Sequence, residues 1–159
     1  MTHSTLEFTR LKPADDAALA DFFAALSAGG DDRFFHPHPF TLVEAVRVCR
    51  LVGRDLYLAA SRGDRILAYG MLRGWDEGYV VPSLGVAVHP EARGTGLARA
   101  FMTYLHAAAR DQGAPRVRLK VYPTNHAARR LYESLGYQWQ PGADEQLVGL
   151  CELASTRAA

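Results

Sequence analysis

The sequence predicts an α/β protein whose elements run β-α-α-β-β-β-α-β-α-β-β. Three observations carry this reading. Short alternations of apolar and polar residues, such as Val117, Leu119 and Val121 between Arg116, Arg118 and Lys120, have the period of strands. Apolar residues at helical spacing, such as Leu19, Phe22, Phe23 and Leu26, mark helices between them. Glycine and proline fall at the joints, as at Gly29-Gly30, Gly63 and Gly113-Ala114-Pro115.

The chain has 159 residues, expected to form one domain over 1–159 with residues 154–159 as a frayed tail. Hydrophobic residues make up 48% and charged residues 22%, a globular balance, and the net charge of +1 argues against a nucleic-acid partner. No apolar run approaches the length of about 18 residues that a membrane span needs, and no secretory leader is visible, so a cytoplasmic protein is expected. In that compartment Cys49 and Cys151 read as reduced core residues.

In chain order, Leu6 to Leu11 alternates as a half-buried strand. Pro13, followed by Asp15 and Asp16, opens a helix that Gly29-Gly30 stops. Asp31 to Phe40, DDRFFHPHPF, is too proline-rich for regular structure. Thr41 and Glu44 form a capping box for a second helix, with Val43, Val46, Val48, Leu51 and Val52 as its apolar side and Gly53 as its end. Leu56 to Ala60 and Ile66 to Leu72 pair as a hairpin around Arg62-Gly63-Asp64. Gly74 to Gly78 makes a longer turn before the next strand.

That strand, around Val86 and Val88, meets Pro90 and then a glycine turn, Arg93-Gly94-Thr95-Gly96, which opens into a long helix. Strand, glycine loop and helix N-terminus together suit an anionic ligand, because unpaired N–H groups there face an approaching phosphate. The nucleotide-triphosphate pattern GxxxxGK[ST] is absent. The dinucleotide pattern GxGxxG fails because Arg99 stands where its third glycine belongs, and the acidic residue expected ~20 residues on is replaced by a basic strand. What fits is Arg93-x-x-Gly96-x-Ala98 preceded by Val88-x-Pro90, which resembles the acetyl-CoA signature of the GNAT family of N-acetyltransferases.

A second element strengthens the resemblance. Asn125-x-x-Ala128-x-x-Leu131-Tyr132-x-x-x-Gly136-Tyr137 reads by itself as a capped amphipathic helix ended by glycine. It also resembles the family's NxxAxxLYxxxGF element, with tyrosine for the last phenylalanine, and it falls one helix and one strand after the glycine loop. The resemblance implies a mixed sheet of six to seven strands flanked by about four helices, whose fourth and fifth strands splay apart around acetyl-CoA. Val86, Ala87 and Val88 would pair with the pantetheine arm. Amides of Arg93, Gly94, Thr95, Gly96, Leu97, Ala98 and Arg99 would cradle the pyrophosphate. Asn125, Ala128 and Tyr132 would line the coenzyme, with Arg129 and Arg130 either neutralising phosphate or facing solvent. No metal is implied; a homodimer would match a common habit of the family.

For catalysis the resemblance makes Tyr132 the general acid towards the CoA sulfur, since phenol with a pKa of about 10 is protonated at neutral pH. The oxyanion donor would be the N–H of Val86 or a neighbour, at a strand interruption marked by Gly85. The base is open: His36, His38, Asp76, Glu77 or a water relay. A histidine near pKa 6.5 suits the task, whereas a surface carboxylate would need a raised pKa. His89 reads as an exposed strand-end residue. The acceptor pocket would be Phe34, Phe35, His36, His38 and Phe40, facing Trp75, Asp76 and Glu77, an aromatic wall for a small amine such as an amino sugar, an amino acid derivative or a drug-like amine. The competing readings are a non-catalytic acyl-CoA sensor and an enzyme acting on protein N-termini or lysines.

Overall fold

The computed structural model describes residues 4–154, so most of the expected tail lies outside the described residues. The order of elements is the one read from the sequence: β1 (Leu6–Arg10), α1 (Asp16–Ala28), α2 (Leu42–Cys49), β2 (Leu56–Arg62), β3 (Arg65–Arg73), β4 (Ser83–Val88), α3 (Leu97–Asp111), β5 (Arg116–Val121), α4 (His126–Ser134), β6 (Gln138–Pro141) and β7 (Leu147–Glu152). The strands form one seven-stranded sheet in the order β1-β2-β3-β4-β5-β7-β6. Every neighbouring pair is antiparallel except β4 with β5.

Alternation along the strands feeds two apolar layers, one on each face. On one face Leu58, Leu72, Leu84, Val117 and Leu119 pack with Phe101, Met102 and Leu105 of α3. On the other, Tyr57, Ile66, Tyr69 and Met71 pack with Phe22, Phe23 and Leu26 of α1 and with Val48 and Cys49 of α2. Both cysteines are buried and unbridged. Gly70 lets α3 sit close on β3, since a Cβ there would lie 2.9 Å from Leu105 Cδ1 and Phe101 Cε1.

Local signals explain the helix ends. Gly30 takes φ 74°, a conformation open to glycine, just after the α1 C-cap. Thr41 caps α2 by accepting from the Glu44 N–H at 3.2 Å. The reciprocal half of the expected capping box is not made, because the Glu44 carboxylate pairs with Arg47 instead. The helix also stops at Cys49 rather than at Gly53. Two turns bury only Ala45, Val48 and Cys49, one face at i, i+3, i+4, so Val43 (78% exposed) and Val52 (93% exposed) do not join the core as expected.

The feature that makes a site is the parting of β4 from β5. The two strands pair at one position, Ser83 opposite Arg118, beside an Arg118 N–H to Pro82 O bond of 3.0 Å. From Leu84 to Val88 and from Leu119 to Val121 they flank a cleft instead.

Candidate functional site

The cleft has a volume of about 360 to 430 Å³ on either side of a shared waist. Its larger part is formed by Leu84 to Val88 of β4, Leu119 to Val121 of β5 and Asn125, Ala127, Ala128 and Tyr132 of α4 or its cap, with Arg93 at the glycine-loop end. Its smaller part lies towards Ser83, Arg73, Arg118 and Gln146 under Phe34, Phe35, His36 and Pro37. Phe34, Phe35, Leu84, Gly85, Leu119 and Lys120 border both parts.

The glycine loop turns the chain into α3. Gly94 (φ 73°) and Gly96 (φ 82°) are left-handed, and Gly96 is the N-cap of α3 without a capping side chain. The N–H groups of Leu97, Ala98 and Arg99 therefore have no intrahelical acceptor and are available to an anion. The loop is held from outside: Arg93 pairs with Asp31, and Thr95 Oγ1 donates to Ala92 O. Arg99 donates to Ser134 Oγ at 2.7 Å, tying α3 to α4. Among the sequence-predicted coenzyme residues, Val86, Ala87, Val88, Arg93, Asn125, Ala128 and Tyr132 line the cleft together. Arg129 does not. Its guanidinium donates to Pro123 O at 3.2 Å and lies over the Trp139 ring.

Asn125 caps α4 through Oδ1, which accepts from the Ala128 N–H at 3.4 Å. One turn on, Tyr132 packs its ring against Tyr137 and Trp139. Its hydroxyl has no protein hydrogen-bond partner among the described residues, and burial pushes its pKa up to about 12. The neighbouring Tyr137 is different in kind, with its hydroxyl 2.7 Å from Nε2 of buried His106.

Gly85 does not interrupt a strand. The β3–β4 register is continuous from Ala68/Val88 to Arg73/Ser83, so the expected backbone irregularity at Val86 is absent; the bulge of the sheet lies between Ala60 and Ser61 of β2. What Gly85 provides is room, because a Cβ there would sit 3.2 Å from Met71 Cγ and 3.3 Å from Phe35 Cε2. Its missing side chain keeps the waist of the cleft open.

Of the eight residues expected to wall an acceptor, four border a cavity. Phe34, Phe35 and His36 border the smaller cavity, with His36 Nε2 3.0 Å from the Tyr122 hydroxyl. Glu77 borders an outer cavity that continues past Arg73, Ser83 and Arg118. The other four residues have structural duties. His38 donates from Nδ1 to Pro39 O at 2.8 Å, so its Nε2 accepts from the Tyr69 hydroxyl at 2.8 Å. That lone pair is taken, and burial lowers the His38 pKa further. Phe40 stacks on Phe23 and Phe35, bracing the wall from behind. Trp75 is 4% exposed and packs into the core layer that includes α3. The Asp76 carboxylate accepts from the Arg54 and Asp55 N–H groups while Asp55 accepts from Gly74 and Asp76, a reciprocal clamp that holds the Asp76 carboxyl below the usual carboxylate range. His89 is buried rather than exposed, and its Nδ1 accepts from the Glu91 N–H.

Sequence reasoning missed Met71, Arg73, Ser83, Arg118, Lys120 and Gln146 as lining residues of the smaller cavity. The signal was present in part: Arg116, Arg118 and Lys120 share one face of β5 by alternation. That β3 and β5 flank β4, and so bring Arg73 and Arg118 to one cavity, is a long-range fact. Among the described residues no group of three or more His, Cys, Asp or Glu could hold a metal ion, and no helix is long and apolar enough to cross a membrane.

Comparison with known proteins agrees with this geometry. The Acetyltransferase (GNAT) family profile matches residues 19–137, well over half of the chain. "Acetyltransferase SG1711" of Sodalis glossinidius is 31% identical over 86 residues, covering 54% of this chain and 59% of that protein, so the chain spans less than two thirds of the curated relative. The GNAT domain of S. lividans PAT superposes with a TM-score of 0.79 at 21% identity, covering 93% of this chain and 90% of that one. The PaiA N-acetyltransferase of Thermoplasma acidophilum, solved in complex with coenzyme A, gives 0.74 at 12% identity over 93% of this chain and 99% of that one. A seven-stranded sheet parted between β4 and β5, a glycine loop at the head of α3 and a family match across both signatures make this chain a member of the GNAT acetyltransferase family.

Proposed function

We propose that the protein transfers the acetyl group of acetyl-CoA to the primary amine of a small molecule, directly and within a ternary complex. The observation that carries the reading is the shared waist: a cleft lined by strand backbone and an acceptor-sized cavity meet at Phe35, Leu84 and Gly85. The residues present fit acetyl-CoA. The α3 N-terminus suits a pyrophosphate, the parted edges of β4 and β5 suit an extended amide chain, and the Tyr132 hydroxyl lines the same cleft. Acetyl-CoA would bring the activated acyl group, which leaves positioning and proton handling to the chain.

The Tyr132 hydroxyl would donate its proton to the sulfur as the carbon–sulfur bond breaks. The amine nitrogen forms the new bond to the carbonyl carbon. One of its protons is balanced by the thiol formed, and the other leaves to solvent. His36, beside the acceptor cavity, is the chain's best-placed group to take a proton from the incoming ammonium; Glu77 stands further out. A cavity of about 360 Å³ favours a small acceptor over a protein lysine.

The test is release of free thiol from acetyl-CoA across a library of amines. Acetylation of at least one small amine, with the product identified by mass, is the expected result. Tight CoA binding without turnover on any amine would instead make the chain an acyl-CoA sensor.

A further inference from the structure

The smaller cavity has an unusual charge pattern. Arg73 from β3 and Arg118 and Lys120 from β5 border it, and among the described residues no aspartate or glutamate does. Ion pairs elsewhere engage Arg47, Arg50, Arg65, Arg93, Arg116 and Arg129, while other arginines such as Arg10, Arg33 and Arg62 make none among the described residues, so what sets this cavity apart is that three cations share one lining without an acid. Arg73, Arg118 and Lys120 form no ion pair among the described residues, and Arg118 has one polar side-chain contact there, with Ser83 Oγ at 3.4 Å. Glu77 borders the outer cavity that Arg73 and Arg118 also border, and Asp31, which borders the larger part with Lys120, is paired with Arg93.

The coenzyme's phosphates do not account for these cations. Resting on the proposed activity, those phosphates lie at the glycine loop beyond Val88, and Ser83 is five residues back along an extended strand, roughly 16 Å away. Lys120 borders both parts of the cleft and could serve either ligand. Arg73 and Arg118 border only the acceptor side. Two half-buried guanidinium groups beside the reacting end would repel a polycationic amine and would help to keep an incoming amine deprotonated. They would also offer fork-shaped donors to a carboxylate or phosphate.

We infer that the acceptor is a small amine that also carries an anionic group, a carboxylate or a phosphate, which Arg73 and Arg118 hold while its nitrogen meets the thioester at the Gly85 waist. The inference is about specificity and adds to the proposed activity.

Matched amines test it. O-phosphoethanolamine is compared with ethanolamine, β-alanine with β-alaninamide, and spermidine serves as the polycation. Thiol release gives kcat/KM for each, and calorimetry on the CoA-saturated protein gives binding without turnover. At least one anionic twin should exceed its neutral partner by about tenfold or more, and Arg73→Gln and Arg118→Gln should each remove most of that advantage, read as the ratio of kcat/KM between twins. The phosphate and carboxylate arms identify the group. Equal or better use of the neutral twins or spermidine, or an advantage that survives both substitutions, would overturn the inference and leave the acetyltransferase reading intact. Anion-dependent binding without thiol release would support the anion site and count against the transfer activity. Binding of no anionic twin in either readout would overturn the anion site.

Discussion

Replacing Tyr132 with phenylalanine removes one oxygen and leaves the ring that packs against Tyr137 and Trp139. The hydroxyl has no protein partner among the described residues, so its removal orphans nothing and the fold should be preserved. Its pKa of about 12 means that it is protonated at any working pH. An ordinary thiol has a pKa of about 8.5, so full proton transfer from Tyr132 would be uphill by roughly 5 kcal/mol if the leaving thiolate kept its value in water. The same burial raises the thiolate and narrows that gap, which makes Tyr132 a hydrogen-bond donor early in bond breaking and an acid only late. General-acid catalysis of this kind is worth about 10²- to 10³-fold, or roughly 3–4 kcal/mol. Single-turnover acetyl transfer by Tyr132→Phe should slow by that factor, with CoA affinity little changed and no alkaline limb assignable to Tyr132 below about pH 11. A variant within about threefold of the parent, with chemistry shown to be rate-limiting, would refute the assignment.

Gly96→Ala would put a Cβ on a residue at φ 82°, costing about 1–2 kcal/mol and displacing the first amides of α3; calorimetry should show weaker CoA binding whatever the acceptor. Gly70→Ala should destabilise by about 1–3 kcal/mol in urea, because its Cβ would meet Leu105 and Phe101 at 2.9 Å, side chains that are fully buried. Burial, with Arg110 as a lesser cause, lowers the His106 pKa to about 4, so the fold favours the neutral ring. Its contribution is complete above the unfolded value near 6.5 and is lost as pH falls towards 4, up to roughly 3 kcal/mol. Urea midpoints at pH 7.5 and 4.5 should therefore diverge, and His106→Gln should flatten that part of the profile.

The order of elements was legible because it depends on local signals. Alternation in Arg116 to Val121, the glycine after α4 and the Asn125 cap each act within one or two turns of chain. The strand, glycine loop and helix start at one end of the cleft were legible for the same reason, since they follow one another in sequence. The lining of the smaller cavity was not. His38 and Phe40 sit in the same loop as His36 and Phe35, yet they turn inward to Tyr69 and Phe23, and no local pattern separates the pairs. Trp75 and Asp76 were assigned by position in a turn, but contacts with the core and with the Arg54–Asp55 backbone decide their orientation. Arg73 and Arg118 are 45 residues apart in the chain and share a cavity only because β4 lies between their strands.

The parted strands have a consequence for solubility. Open strand edges with unpaired N–H and C=O groups invite another chain to add a strand, which is how many β-proteins begin to aggregate. Here two such edges, β4 beyond Leu84 and β5 beyond Leu119, lie inside the fold rather than at its rim. They converge at Ser83 and Arg118, and the loop of residues 31–40 borders the cleft between them through Phe34 and Phe35. A slender linear molecule can reach them lengthwise. A second polypeptide strand, carrying side chains to both faces, meets the convergence and the phenylalanines first. The protein thus keeps unpaired backbone within a cleft rather than at the rim of its sheet.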